Sequence, residues 1–125
     1  MVFGDKKQIA STLSGEMFWL MFEMNVVPMA TWDFEGDFLN VNQALLDMLG
    51  FSGEDFSRIS WKEITPEEYR SLDAKCIEEL RSQPIATVYE KEYVVKDGSR
   101  VKVRLHNACP DQGISKKGVV IIVPI

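Results

Sequence analysis

Long runs of any one kind are scarce in this chain. No block of Lys and Arg exceeds the pairs Lys6-Lys7 and Lys116-Lys117, and 19 acidic against 14 basic residues leave a net charge of −5. Nucleic acid and anionic lipid both call for a basic face, so no nucleic-acid partner and no direct membrane contact are expected. A spanning helix requires about 18 or more apolar residues, whereas the run Met17 to Phe22 within EMFWLMFEM stops at Glu23. An apolar secretory segment is missing too, because Lys6 and Lys7 lead into the polar QIASTLSGE; a cytoplasmic location is the expectation. His106 is the single histidine, which excludes any mechanism needing two within the chain. Cys76 and Cys109 share no CxxC spacing, so neither a metal site nor a redox motif is signalled, and both read as reduced thiols.

What is present suits one globular domain: 125 residues, 46% of them hydrophobic and 26% charged, enough for one core of moderate size. From Gln8 to Asn25, Ile9, Leu13, Met17, Leu20 and Met24 recur at helical steps, while Phe18, Trp19, Met21 and Phe22 widen the apolar stripe to nearly the whole circumference. Such a helix must be covered on more than one side. Residues 1–25 are therefore set apart as an N-terminal amphipathic helix, and residues 26–125 as the domain proper.

Pro28 ends that helix, and MATWDF, the turn Glu35-Gly36-Asp37 and FLNV read as two short strands. Asn42 stands at a helix N-cap, Gln43 to Leu49 follows as a helix, and Gly50 closes it. Ser52 and Asp55 suggest a further helical turn over Gly53 to Phe56. Thr65-Pro66-Glu67-Glu68 predicts a longer helix, with Thr65 as cap, running to about Arg81. Its apolar side is Tyr69, Leu72, Cys76, Ile77 and Leu80; Glu68, Arg70, Asp73, Lys75, Glu78 and Glu79 are expected to face water. Pro84 lies just past its end.

Three strands follow, Thr87 to Lys96, Arg100 to Ala108 and Gly118 to Val123, joined by Asp97-Gly98 and by Pro110-Asp111-Gln112-Gly113. Setting Tyr93 opposite Val103 puts Tyr89, Tyr93, Val95, Val101, Val103 and Leu105 on one face, and pairs Glu92 with Arg104 and Glu90 with His106 on the other. The element order predicts an α+β fold: a five-stranded antiparallel sheet with helices over one face and a hollow between the two layers.

At this point the sequence resembles the PAS sensory domain family. The likeness rests on D-x-x-G-x-F-x-x-V-N, which stands as Asp33, Gly36, Phe38, Val41 and Asn42, then on Leu49-Gly50-Phe51, Trp61 before TPEE, and the E-x-x-x-K-D-G-S hairpin from Glu92 to Ser99. It covers about residues 26 to 123, and no single motif carries it; their order and spacing do. By their local chemistry these residues make turns and caps, so they identify a frame and not a ligand.

The resemblance implies a cytosolic module that senses a small molecule, light, redox state or a partner, and signals to an attached effector in cis such as a histidine kinase, a cyclic-dinucleotide enzyme or a transcription regulator. It also implies a pairing helix before the first strand, which places Leu13, Met17, Leu20 and Met24 in a homodimer seam. The candidate pocket is Met48, Trp61, Cys76, Ile77, Leu80, Tyr93, Val95, Val103 and Leu105; the inward-facing residues are mainly apolar, with Lys91 as their one charged member near the sheet edge, and an apolar or aromatic ligand is the match. Haem of the oxygen-sensing type is not expected, since residues 66 to 82 hold no histidine and His106 falls on the outer face. A LOV-type covalent flavin is not expected either, for the reactive-cysteine motif is missing. No catalytic residue is assigned, because residues 106 and 109 alternate to opposite sides and no phosphate loop or paired-carboxylate motif occurs. The alternative function is a structural homodimerisation module with a filled core and no ligand.

Overall fold

In a computed structural model, residues 16–82, 87–109, 114 and 116–125 are described. Residues 16–24 form helix α1. Strands β1 (Met29–Asp33) and β2 (Phe38–Val41) follow, then α2 (Gln43–Leu49), α3 (Gly53–Phe56), a tight helical turn over Glu67–Tyr69 and α4 (Arg70–Ser82). The chain closes with β3 (Thr87–Val94), β4 (Arg100–Ala108) and β5 (Lys117–Pro124). All strand pairs are antiparallel in the order β2-β1-β5-β4-β3, so the first and last strands of the chain meet at the centre.

Turn and cap chemistry fixes the first half. The Asp33 carboxylate accepts from the backbone N–H of Glu35, Gly36 and Asp37, which folds the β1–β2 turn, and Gly36 takes φ 117 within it. The Asn42 side chain accepts from Leu45 N at 3.0 Å as the cap of α2 and from Met29 N at 3.0 Å. Its amide also donates to Val27 O at 2.8 Å and Phe22 O at 3.3 Å. One buried side chain thus ties α1, β1 and α2 together. Replacing Asn42 by Asp keeps the acceptor but turns the donor into a second acceptor facing two carbonyls, at a cost of about 1–3 kcal/mol. Hydrogen exchange checks this: α1 amides should lose protection while α2 amides keep theirs, and equal loss in both would contradict it.

The inner face of the sheet carries Ala30, Trp32, Tyr93, Val103, Leu105, Val120 and Ile122, against Leu45, Leu49, Phe56, Ile64, Cys76 and Leu80 from the helical layer. The β3–β4 register differs from expectation by two residues: Tyr93 faces Val101, Lys91 faces Val103 and Glu90 faces Arg104. A two-residue shift leaves every side chain on its expected face, which is why alternation did not resolve it. The cause is a turn centred one residue earlier than expected. Asp97 accepts from Ser99 N at 2.8 Å, Val95 N bonds Ser99 O, and Lys96 leaves the ladder to bond Leu49 O at 3.0 Å. His106 is exposed on the outer face, opposite Val88 and Ile121.

Two further expectations are corrected at α4. Thr65 does not cap it: its hydroxyl donates to Trp61 O at 2.7 Å and accepts from Lys91 Nζ, and the chain enters α4 through the turn at Glu67–Tyr69. Asp73 does not face water but is buried against the sheet, whereas Leu72 is exposed. Leu13, Pro84 and the turn from Pro110 to Gly113 lie outside the described residues.

Candidate functional site

The hollow between α4 and the sheet is small and polar at its centre. Lys91, on the inner face of β3, is 2% exposed, and its ammonium donates to both Asp73 oxygens at 2.9 Å and to Thr65 Oγ1 at 2.9 Å. The Tyr89 hydroxyl donates to the same carboxylate at 2.5 Å. Lys91 Nζ also lies 4.6 Å from the Tyr93 ring centre and 5.7 Å from that of Trp61, where a cation is attracted by the ring faces. Asp73 stands one helical face with Cys76, Ile77 and Leu80, which carries it inward from α4.

A cavity of about 30 Å³ opens beside this network, lined by residues of β1, β3, β4, β5 and α4. Five of the nine sequence candidates line it: Trp61, Cys76, Ile77, Tyr93 and Leu105. The other four do not. Leu80 and Val103 are sealed within the core, and Met48 and Val95 pack against its rim. Sequence reasoning missed Trp32, Phe38, Asp73, Tyr89, Asn107 and Val120; it read Lys91 as the one charged inward residue but placed it near the sheet edge and not among the pocket candidates. The wall is mainly apolar and aromatic, with Asp73, Lys91 and Asn107 as its charged and amide members. Alternation from Val103 and Leu105 reaches Asn107, and steps of three and four back from Cys76 and Ile77 reach Asp73, so the signal was there.

An open groove of about 540 Å³ runs beside α4, bounded by Phe34, Trp61, Lys62, Glu63, Arg70, Ala74 and Arg81. Trp61, Asp73 and Ile77 border both spaces. Trp61 is held in that position by the β1–β2 turn: its backbone N–H donates to Gly36 O at 2.8 Å and its indole to Asp33 O at 3.3 Å. The Arg81 guanidinium lies 5.3 Å from the centre of the Phe34 ring across the groove.

Burial sets the proton affinities here. It lowers the Lys91 ammonium below its usual range, with Asp73 opposing the shift, and it raises the Cys76 thiol. Burial, reinforced by the nearby Asp73 charge, pushes the Tyr89 and Tyr93 phenols far above their usual value. An unfolded chain releases those protons near pH 10 or so. The folded chain keeps them, so it binds more protons above that pH and stability falls as pH rises further. An alkaline absorbance titration should find Tyr89 and Tyr93 ionising together with unfolding; ionisation of both in the folded protein near that pH would contradict the geometry.

Comparison with known proteins agrees with this architecture. Residues 26–123 match the family profile described as PAS domain. The hybrid signal transduction protein dokA of Dictyostelium discoideum is 29% identical over 98 residues, which is 77% of this chain but only 6% of that protein. The crystal structure of the PAS domain of an HTR-like protein from Haloarcula marismortui has a TM-score of 0.70 at 20% identity, covering 96% of this chain and all of that one (100%). The PAS domain of a LuxR-family transcriptional regulator from Burkholderia thailandensis, in complex with ethanol, has a TM-score of 0.73 at 10% identity, covering 86% and 96% of the two chains. At such identities the solved structures speak for the fold alone. The family match spans most of the sequence, and the chain belongs to the PAS domain family, the sensory modules of signal-transduction proteins. Among the described residues no helix is long and apolar enough to cross a membrane.

Proposed function

We propose that this PAS domain holds a small molecule between α4 and the sheet, pairs with a second copy through α1, and passes its occupancy to an effector in a longer signalling protein. The observation that carries the reading is the wall of the cavity. A core that only had to fold would set hydrocarbon where Lys91, Asp73, Asn107 and Tyr89 stand, because buried polar groups are costly unless fully paired. The groove beside Trp61 and Ile77 supplies the approach. That a PAS domain of similar fold has been crystallised with ethanol fits a ligand of modest size.

The pairing surface is argued from exposure. Met17, Leu20 and Met24 are 59%, 59% and 63% exposed on α1, and together they form an apolar stripe of the kind that meets a partner. Sedimentation should find a dimer at tens of micromolar or so that Leu20→Glu dissociates, since a charge in a desolvated seam is disfavoured by several kcal/mol, roughly. A monomer unchanged by that substitution would count against the seam. An effector resembling that of dokA, a hybrid signal transduction protein, is the natural recipient of the signal.

The structural module with a filled core is the second reading, and the small volume of the cavity favours it. Thermal denaturation against a metabolite library separates the two. A compound at about 100 times its Kd stabilises the folded state by about 2.7 kcal/mol, a rise of several degrees. No rise with any compound would favour the structural module.

A further inference from the structure

Two groups on the cavity wall are hydrogen-bond donors with no partner among the described residues. Trp32 and Asn107 are each 5% exposed, and neither Trp32 Nε1 nor Asn107 Nδ2 has a partner among the described residues. Both residues line the cavity, from different strands. Trp32 is fixed by its neighbour: it faces Gly118 on β5, and a Cβ there would lie 2.5 Å and 2.6 Å from two carbons of the indole, so the ring rests on the bare glycine backbone. Asn107 faces Val120 on one side and Thr87 on the other, at an inward position where β4 otherwise carries Val103 and Leu105.

Asp73, Lys91 and Tyr89 on the same wall already engage one another. Asp73 accepts from Lys91 at both oxygens and from Tyr89, and Lys91 donates to Thr65 as well. Charge on the wall is thus balanced, while two buried N–H donors stand without a partner among the described residues.

We propose that the cavity takes a small neutral molecule that presents a hydrogen-bond acceptor to Trp32 Nε1 and Asn107 Nδ2. This rests on the ligand-binding reading above and names the class of ligand. The molecule supplies an acceptor because the two unpartnered groups are both N–H donors. It is neutral because Asp73 already balances Lys91, so an anion would be buried without a counter-charge. It is small because about 30 Å³ is room for only a few heavy atoms. Short alcohols, amides and carbonyl compounds meet all three conditions, and they enter from the groove, past Trp61 and Ile77. For so few atoms the Kd is no tighter than about millimolar.

The test follows the Trp32 indole N–H and the Asn107 side-chain amide by proton–nitrogen NMR, during titration with formamide and, separately, with formate. These probes have the same number of heavy atoms and differ in charge. Formamide should shift both resonances saturably, at a half-saturation of about millimolar or weaker, while formate leaves them in place. In Asn107→Leu the Trp32 resonance should still report a folded protein, with formamide bound about tenfold more weakly. Saturation by formate, failure of formamide to move either resonance, as when a resident water is not displaced, or an unchanged formamide titration in Asn107→Leu would each overturn the proposal. If formate alone saturates, or if other compounds raise the melting temperature while formamide does nothing, the ligand class is wrong and the ligand-binding reading stands. If nothing in the metabolite library raises it either, both fall.

Discussion

Replacing Lys91 by Met lowers the stability of the domain by about 3–5 kcal/mol, a large share of the roughly 5–15 kcal/mol that holds a domain folded. The substitution fills the space of the Lys91 stem but leaves Asp73 buried, with Tyr89 as its only remaining donor among the described residues. Removing the other partner has a different signature. In Asp73→Asn the ammonium loses its counter-ion while burial continues to lower its proton affinity. The unfolded chain then binds more protons than the folded one below the usual Lys value, so the stability of Asp73→Asn rises with pH across that window. Lys91→Met/Asp73→Leu removes both charges, and it should recover most of the loss or exceed the parent, because apolar replacement of a buried pair is often neutral or stabilising. Urea denaturation of the three variants across pH checks the set; a double variant as unstable as Lys91→Met would contradict it.

Gly118→Ala is the second large effect, expected to cost about 1–3 kcal/mol or more. The new Cβ would meet the Trp32 ring at 2.5 Å and the carbonyl of Ala108 at 3.1 Å, so it is pinned between an indole and a backbone. Neither can yield without moving β1 or β4, the two strands that flank β5. In a Trp32→Phe background the smaller ring leaves room, and the same substitution should cost less, with a coupling of about 0.5–3 kcal/mol between the sites. Additive losses would mean that the ring is not what Gly118 accommodates.

The frame of the domain was legible because its determinants are local. Asp33 folds its own turn, Asn42 and Gly50 bound α2, and Ser52 caps α3, each within a few residues. The hairpin register was not, since alternation is blind to a two-residue shift and the decision lay with Asp97 and Ser99 in the turn. Thr65 looked like a cap, but a side chain 26 residues further along the chain claims its oxygen. Asp73 was assigned to water by its charge alone, although its helical spacing to Cys76 and Leu80 points inward. Charged residues are so seldom fully buried that the spacing was overruled without a partner in view. Lys91 is that partner, brought to Asp73 by the packing of α4 on β3, which no local pattern encodes.

The unpartnered donors of the cavity wall, Trp32 Nε1 and Asn107 Nδ2, serve a ligand and not the fold. A thermal-shift screen of small metabolites on the parent chain and on Asn107→Leu, side by side, tests this most directly. Compounds that raise the melting temperature of the parent should shift Asn107→Leu far less. Equal shifts in both proteins, or none in either, would make Asn107 part of the core alone and contradict a ligand-binding wall.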